Sequence, residues 1–195
     1  MNVTATLTTL ALGLVAAAPT LAAQRDSAVG RPAAILVSGP REGQRAPDFS
    51  LPWASKDTAG ALPWFSLTAN RGKVVVLAFY PKDFTQGCTA EMKTFAEKYD
   101  DLFGDGVVVV GINADSLPTH QRFAQSLVLP FHLLSDMDQS ISRKYGSADQ
   151  GGYNRRTVYV IDRAGTVAYT DLRFGALDPK AYSRLKEAVQ EARRQ

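Results

Sequence analysis

The chain has 195 residues, of which 45% are hydrophobic and 21% are charged, a composition typical of a globular protein with one domain and a sizeable core. The net charge is +3, and the sequence has no run of lysines and arginines, which argues against nucleic-acid binding. One basic pair, Arg193 and Arg194, falls in the last turn of a predicted helix, where cations suit the helix dipole.

The first 23 residues carry no charged side chain, and residues 7–23 are rich in Leu, Ala, Val and Thr. Small residues near Ala22 and Ala23 end this segment, which is typical of a secretory signal peptide. An uncleaved anchor is the alternative, because about 20 apolar residues can span a bilayer, but Pro19 and the threonines favour the signal peptide. We therefore predict a signal peptide at residues 1–23 and an exported protein, either periplasmic or secreted.

Residues 24–42 are predicted to form a tail and entry loop, and residues 43–195 a single domain. Apolar runs and alternations predict strands, and apolar spacings of three and four predict helices. The predicted strands are residues 46–52, 65–67, 74–80, 106–112, 131–134, 157–161 and 166–170. The predicted helices are residues 89–103, 117–127, 138–145 and 179–194, and residues 53–63 are predicted to be a loop. Asp178 is the expected N-cap of the last helix, before a proline at its first position. This alternation predicts an α/β fold with a mixed central sheet flanked by helices.

Cys88 is the sole cysteine of the sequence, and it lies between the predicted strand 74–80 and the predicted helix 89–103. A lone cysteine forms no internal disulfide, so it is inert, paired with another molecule, or a reactive thiol. A sulfur at a helix N-terminus faces unpaired N–H groups and the positive end of the dipole, and both favour the nucleophilic thiolate. Cys88 also begins an apolar stripe along this helix, and we expect it where the helix end meets solvent.

Residues 79–91 read Phe-Tyr-Pro-Lys-Asp-Phe-Thr-Gln-Gly-Cys-Thr-Ala-Glu and resemble the active-site loop of peroxiredoxins. The likeness is closest to the bacterioferritin-comigratory-protein/PrxQ branch of the alkyl hydroperoxide reductase/thiol-specific antioxidant superfamily. Residues 111–116, 129–136 and 156–162 are similar to later family segments, in the same order. The resemblance implies a thioredoxin-like fold and an enzyme that reduces hydrogen peroxide or organic hydroperoxides.

The resemblance also implies a role for each residue of the site. Cys88 is implied to be the peroxidatic thiol, which attacks the peroxide and becomes a sulfenic acid. Thr85 is implied to hydrogen-bond the thiolate and the peroxide, or else to cap the following helix. Pro81 is implied to line the pocket, or else simply to end the strand. Arg156 is implied to stabilise the thiolate, and it is favoured over its neighbour Arg155 by its spacing from the end of the strand.

Several residues bear on what the chain lacks. Lys93 stands where many relatives have a resolving cysteine, which implies a one-cysteine cycle with an external thiol reductant: thioredoxin, glutaredoxin with glutathione, or an exported dithiol protein.

Glu91 is expected to orient Arg156 or to cap the helix. His120 is predicted on a helix surface and His132 on a strand, both structural, and no spacing of ligands indicates a metal or a cofactor.

A different class of function stays open from the sequence. The domain could be a thioredoxin-like redox sensor in which Cys88 passes a disulfide to a protein partner. A thiol–disulfide oxidoreductase is disfavoured, because it needs a Cys-x-x-Cys motif that this sequence lacks. The sequence leaves open whether the protein is a monomer or a homodimer.

Overall fold

A computed structural model describes Met1 and residues 39–60 and 63–195. Apart from Met1, the predicted signal peptide lies outside the described residues, as does the entry loop up to residue 38. Within the described part of the chain, no helix combines the length and the apolar character needed to cross a membrane.

The strands and helices of the described residues follow one another in the predicted alternation. The strands are β1 (Ser50–Leu51), β2 (Trp53–Ala54), β3 (Phe65–Ser66), β4 (Val74–Phe79), β5 (Val107–Asn113), β6 (His132–Ser135), β7 (Thr157–Ile161) and β8 (Val167–Asp171). The α-helices are α1 (Gln86–Glu97), α2 (Tyr99–Leu102), α3 (Leu117–Leu127), α4 (Ser140–Lys144) and α5 (Pro179–Arg194). A 3₁₀ turn covers Thr68–Asn70.

Six strands form one mixed sheet in the order β2-β6-β5-β4-β7-β8, and β1 pairs with β3 in a separate ribbon. Strands β4, β5 and β6 run parallel to one another, whereas β7 pairs antiparallel with β4 and β8 pairs antiparallel with β7. The predicted α/β fold with a mixed, helix-flanked sheet is therefore confirmed.

Strand β4 lies at the centre of the sheet and is buried along its whole length. Its side chains alternate between two apolar clusters, as expected of a strand covered on both faces. Val76 and Ala78 pack in the cluster that includes Met92 of α1, together with residues of α3 and α5. Leu77 packs in the opposite cluster, which is covered by α4 and the β1–β3 ribbon.

The prediction of a loop at residues 53–63 is wrong at its start, because Trp53 and Ala54 form β2 at the edge of the sheet. Trp53 pairs with Leu134, and its ring stacks on His132 at a centroid distance of 4.1 Å. Two residues are too few to show the alternation that marks a strand. The predicted helix 89–103 is also divided, since Lys98 leaves helical geometry between α1 and α2.

The C-terminal helix begins and ends as the sequence predicts. Pro179 occupies the first turn of α5, and the Asp178 side chain accepts a hydrogen bond of 3.0 Å from the Lys180 N–H. Capping and a proline at the first position are local signals, which explains why the sequence locates this boundary.

Candidate active site

The loop after β4 places Cys88 in the first turn of α1. Thr85 occupies the N-cap position with extended backbone angles, and the first helical hydrogen bond runs from the Thr89 N–H to the Thr85 carbonyl at 2.8 Å. The N–H groups of Gln86, Gly87 and Cys88 therefore precede the helical ladder. Their partial positive charge favours an anion at this end of the helix.

The register of the sheet brings a distant part of the chain to the same place. Phe79, the last residue of β4, pairs with Thr157, the first residue of β7. Arg156 consequently lies beside the start of the loop that leads to Cys88. Because successive residues of a strand point to opposite faces, Arg156 shares the face of Val158, which belongs to the cluster that contains Cys88.

Arg156 contacts both Cys88 and Glu91 through its guanidinium group. Its Nη2 lies 3.4 Å from the Cys88 Sγ, and its Nη1 donates to Glu91 Oε2 in an ion pair. Glu91 follows Cys88 by three residues on α1, so the two side chains project from the same face of the helix. One cation is thus shared between a sulfur and a carboxylate.

The neighbouring Arg155 is directed away from the sulfur. Its guanidinium donates to the Gly146 carbonyl, and its backbone N–H donates to the Ser147 carbonyl at 2.7 Å. Of the two adjacent arginines, Arg156 is therefore the one that lies at Cys88.

Glu91 is fully buried, and this burial governs its charge. Loss of water raises the pKa of Glu91 to about 7, although the neighbouring Arg156 pulls it in the other direction. Burial alone would lower the pKa of Arg156, but Glu91 and Cys88 outweigh it and raise that pKa. Glu91 Oε1 has no hydrogen-bond partner among the described residues. Arg156 thus stays a cation at the Cys88 sulfur, while the Glu91 carboxyl beside it titrates near neutral pH.

Gly87 makes room for the arginine. A Cβ atom at this position would lie 2.7 Å from Arg156 Nη2, closer than real Cβ contacts allow. Its backbone is not in the left-handed region, so the requirement for glycine is one of space. Gly87 was not among the predicted site residues, although glycine is the residue that lets another group approach the backbone closely.

The prediction that Cys88 lies where the helix end meets solvent is wrong, since the residue has 0% exposed surface. It packs in the same cluster as Tyr80, Met92 and Phe95. The apolar stripe of α1 therefore continues into the first turn of the helix. The sulfur is nevertheless not in a wholly apolar setting, because Arg156 reaches it.

Thr85 and Pro81 lie on the loop that precedes Cys88, at the positions the sequence implies. The Thr85 hydroxyl is exposed and donates to the Lys82 carbonyl at 3.1 Å. It makes no capping hydrogen bond to the backbone of α1. Pro81 is half-buried and follows the last residues of β4. Thr85 therefore lies at the N-cap, and its hydroxyl bonds to Lys82 rather than to the Cys88 sulfur or the backbone of α1.

The prediction of His120 on a helix surface is wrong, because this side chain is fully buried. Its Nδ1 lies 2.8 Å from Oδ2 of Asp83, in the loop that leads to Cys88. The apolar pattern of α3 gave no sign of this contact, since its partner is distant in sequence. Three or more potential metal ligands do not cluster anywhere in residues 39–60 and 63–195.

The chain is similar to a known protein family and to solved structures. Residues 42–170 match the AhpC/TSA family. The chain is 40% identical over 133 residues to a putative peroxiredoxin bcp of Coxiella burnetii, a match covering 65% of this chain and 84% of the relative. It is also 40% identical over 128 residues to a chloroplastic peroxiredoxin Q of Populus jackii, covering 65% of this chain and 57% of the relative. It thus spans little more than half the length of the plant protein.

Among solved structures, the fold is similar to a reduced 2-Cys peroxiredoxin of Plasmodium vivax. The TM-score is 0.66 at 27% sequence identity, and the match covers 79% of this chain and 99% of that chain.

Proposed function

The chain belongs to the AhpC/TSA family, the peroxiredoxins, and on that premise we propose that it is a one-cysteine thiol peroxidase with Cys88 as its peroxidatic residue. The proposed substrates are hydrogen peroxide and organic hydroperoxides. The observation that carries the proposal is the contact of 3.4 Å between Arg156 Nη2 and the Cys88 sulfur. A cation at this distance, together with the helix N-terminus, stabilises a thiolate that can act as a nucleophile.

In the first step, the Cys88 thiolate attacks the terminal oxygen of the peroxide. A sulfur–oxygen bond forms while the oxygen–oxygen bond breaks, so the sulfur is oxidised to a sulfenic acid and the peroxide is reduced. The departing alkoxide or hydroxide takes up a proton and leaves as an alcohol or water. Arg156 stabilises the negative charge as it moves from the sulfur to the leaving oxygen.

The other site residues prepare this step. We propose that the Thr85 hydroxyl, three residues before Cys88, binds the peroxide, because a hydroxyl both donates and accepts hydrogen bonds. Its present donation to the Lys82 carbonyl leaves its oxygen free to accept. Pro81 shapes the pocket without adding a backbone donor. Glu91 holds Arg156 in place through its ion pair with the Arg156 Nη1 atom.

In the second half of the cycle, an external thiol attacks the sulfenic sulfur, and water leaves as a mixed disulfide forms. A second thiol then attacks that disulfide, releasing the Cys88 thiolate and an oxidised reductant. The position five residues after Cys88 holds Lys93, whose amine lies 3.6 Å from the Glu97 carboxylate on the outside of α1. Because the Cys88 sulfur is buried, we further propose that the first turn of α1 opens to admit the reductant.

We propose an external dithiol as the reductant, from the one-cysteine cycle, and an exported location, from the signal peptide predicted at residues 1–23. A dithiol protein such as thioredoxin, glutaredoxin with glutathione, or an exported dithiol carrier would supply the two thiols. An exported enzyme would work in an oxidising compartment, so it would draw on a dithiol carrier outside the cytoplasm.

Stopped-flow measurement of peroxide consumption by the reduced protein tests the proposal, with Cys88→Ser as the matched control. We expect a fast reaction that consumes one peroxide per protein and that the serine variant loses. Adding each candidate reductant should then restore turnover with one of them. A rate no faster than that of a free thiol would contradict the proposal, as would a single oxidation followed by a disulfide to one protein partner without turnover.

A further inference from the structure

A buried polar network lies beneath the loop that carries the active-site cysteine. Asp83 has a fully buried side chain, although its neighbours Lys82 and Phe84 are exposed. Its Oδ1 accepts hydrogen bonds from the Tyr80 hydroxyl at 2.6 Å and from the Asn113 side-chain amide at 3.1 Å. Buried carboxylates are costly unless they are paired, so this side chain is specifically accommodated.

The same residue is tied to the sheet through its backbone. The Asp83 N–H donates to Asp115 Oδ2 at 2.7 Å, and the Asp115 N–H donates to Asn113 Oδ1 at 2.6 Å. Asn113 is the last residue of β5, the strand next to β4, and Asp115 follows two residues later. The loop is therefore fixed to the sheet from both its side chain and its main chain.

His120 completes the network from α3. Its Nδ1 lies 2.8 Å from Asp83 Oδ2, within hydrogen-bond distance. The Nε2 atom of His120 is buried and has no hydrogen-bond partner among the described residues. Among the described residues, the one polar contact of the imidazole is thus with the loop.

The residue after Asp83 has an unusual backbone conformation. Phe84 has a φ of 59°, in the left-handed region that a side chain of this size seldom occupies. Its ring lies 5.0 Å from the ring of Phe123, which follows His120 by three residues on α3. Helix α3 therefore holds two consecutive loop residues, through a polar contact at Asp83 and an aromatic contact at Phe84. A strained backbone conformation of this kind persists where several surrounding contacts hold it in place.

This turn sets the direction in which the chain enters α1. Thr85 begins the helix directly after Phe84, and Cys88 follows within its first turn. Arg156 reaches Cys88 from β7, which is fixed separately by the sheet. A change in the angle of the loop would therefore move the sulfur relative to an arginine that stays in place.

We propose that Asp83 and His120 are positioning residues that hold the loop between β4 and α1 so that Cys88 lies in contact with Arg156. This inference rests on the proposed function for its catalytic meaning. It assigns the buried aspartate–histidine pair a task that core packing alone would not require, since an apolar pair of similar volume could fill the same space.

The variants His120→Leu and His120→Asn test the proposal, with His132→Asn as a control at a histidine that instead stacks on Trp53. The leucine variant removes the group that pairs with Asp83 Oδ2, whereas an asparagine amide can place a polar group near the position of Nδ1. Two rates are measured in each: the reaction with peroxide, and the alkylation of Cys88 by iodoacetamide as a function of pH. Thermal unfolding reports the stability of each variant.

We expect His120→Leu to slow the peroxide reaction by about tenfold or more, the size of effect that a small misplacement of reacting groups produces. Its alkylation profile should shift to higher pH, and His120→Asn should recover both properties. A folded His120→Leu protein with the wild-type rate and profile would overturn the proposal, even if its unfolding temperature fell. That result would make the pair a stabilising contact alone.

Tyr80→Phe covers the case in which His120→Leu does not fold. This variant removes one hydroxyl that donates to Asp83 and keeps the ring in the core. We expect it to slow the peroxide reaction and shift the alkylation profile in the same direction, and unchanged values would count against the proposal. Alkylation does not depend on peroxidase activity, so a wild-type protein that fails to reduce peroxide would refute the proposed function while leaving the positioning role measurable.

Discussion

Replacing Arg156 by alanine removes the one side chain that donates to the Cys88 sulfur among the described residues. Two unit charges 3.4 Å apart attract one another by about 5 kcal/mol at an effective dielectric constant of about 20. The net loss is smaller, because the Arg156 side chain is 22% exposed and Glu91 already offsets part of its charge. We take roughly a third of the full attraction, about 1.5 kcal/mol, as the expected loss, which corresponds to about tenfold in rate or in thiolate population.

The thiolate population is measured by its ultraviolet absorbance as a function of pH, and the reaction with peroxide by stopped flow. Arg156→Ala should contain less thiolate at neutral pH and should react at least about tenfold more slowly. Arg155→Ala is the matched control, because that neighbouring guanidinium donates to the Gly146 carbonyl instead. An Arg156→Ala protein with the wild-type thiolate titration and rate would refute the electrostatic role, as would an equal effect of both substitutions.

Three further changes test other parts of the site. Gly87→Ala adds a Cβ atom 2.7 Å from Arg156 Nη2, so we expect slower peroxide reduction in stopped flow, while Gly151→Ala, where the nearest atom is 3.4 Å away, should react normally. Because burial raises the pKa of Glu91 to about 7 from 4.5, the folded state holds this proton more tightly than the unfolded chain. The free energy of unfolding should therefore fall by about 3 kcal/mol as pH rises from about 4.5 through 7, a loss that denaturant titrations should not find in Glu91→Gln. Finally, excess peroxide without a reductant should convert Cys88 to sulfinic acid, detected by mass spectrometry, since no second thiol traps the sulfenic acid. Full recovery of the Cys88 thiol when a reductant is added afterwards would contradict the one-cysteine cycle.

Local signals in the sequence were sufficient for much of the fold. The apolar run of β4 and the capped start of α5 are encoded within a few residues, and both appear where they were predicted. The two-residue strand β2 was missed because its identity depends on its partner β6 rather than on its own pattern.

The site was predictable where a motif carries it and not where the contacts are long-range. The loop motif pointed to Cys88 and, through the family resemblance, to Arg156, which the sheet register brings to the sulfur. The burial of His120 depends on Asp83, 37 residues earlier in the chain, and no periodicity encodes that pairing. The burial of Cys88 likewise depends on side chains that pack around it from other parts of the fold.

Mass spectrometry after one equivalent of hydrogen peroxide, with a reagent that traps sulfenic acids, tests the central claim most directly. We expect one adduct of the trapping reagent on the peptide that contains Cys88, with the sulfenic oxygen lost as water, while Met137, which is 70% exposed, stays unmodified. Oxidation of Met137 with Cys88 still in its reduced form would contradict the claim that this sulfur is the activated nucleophile of the protein.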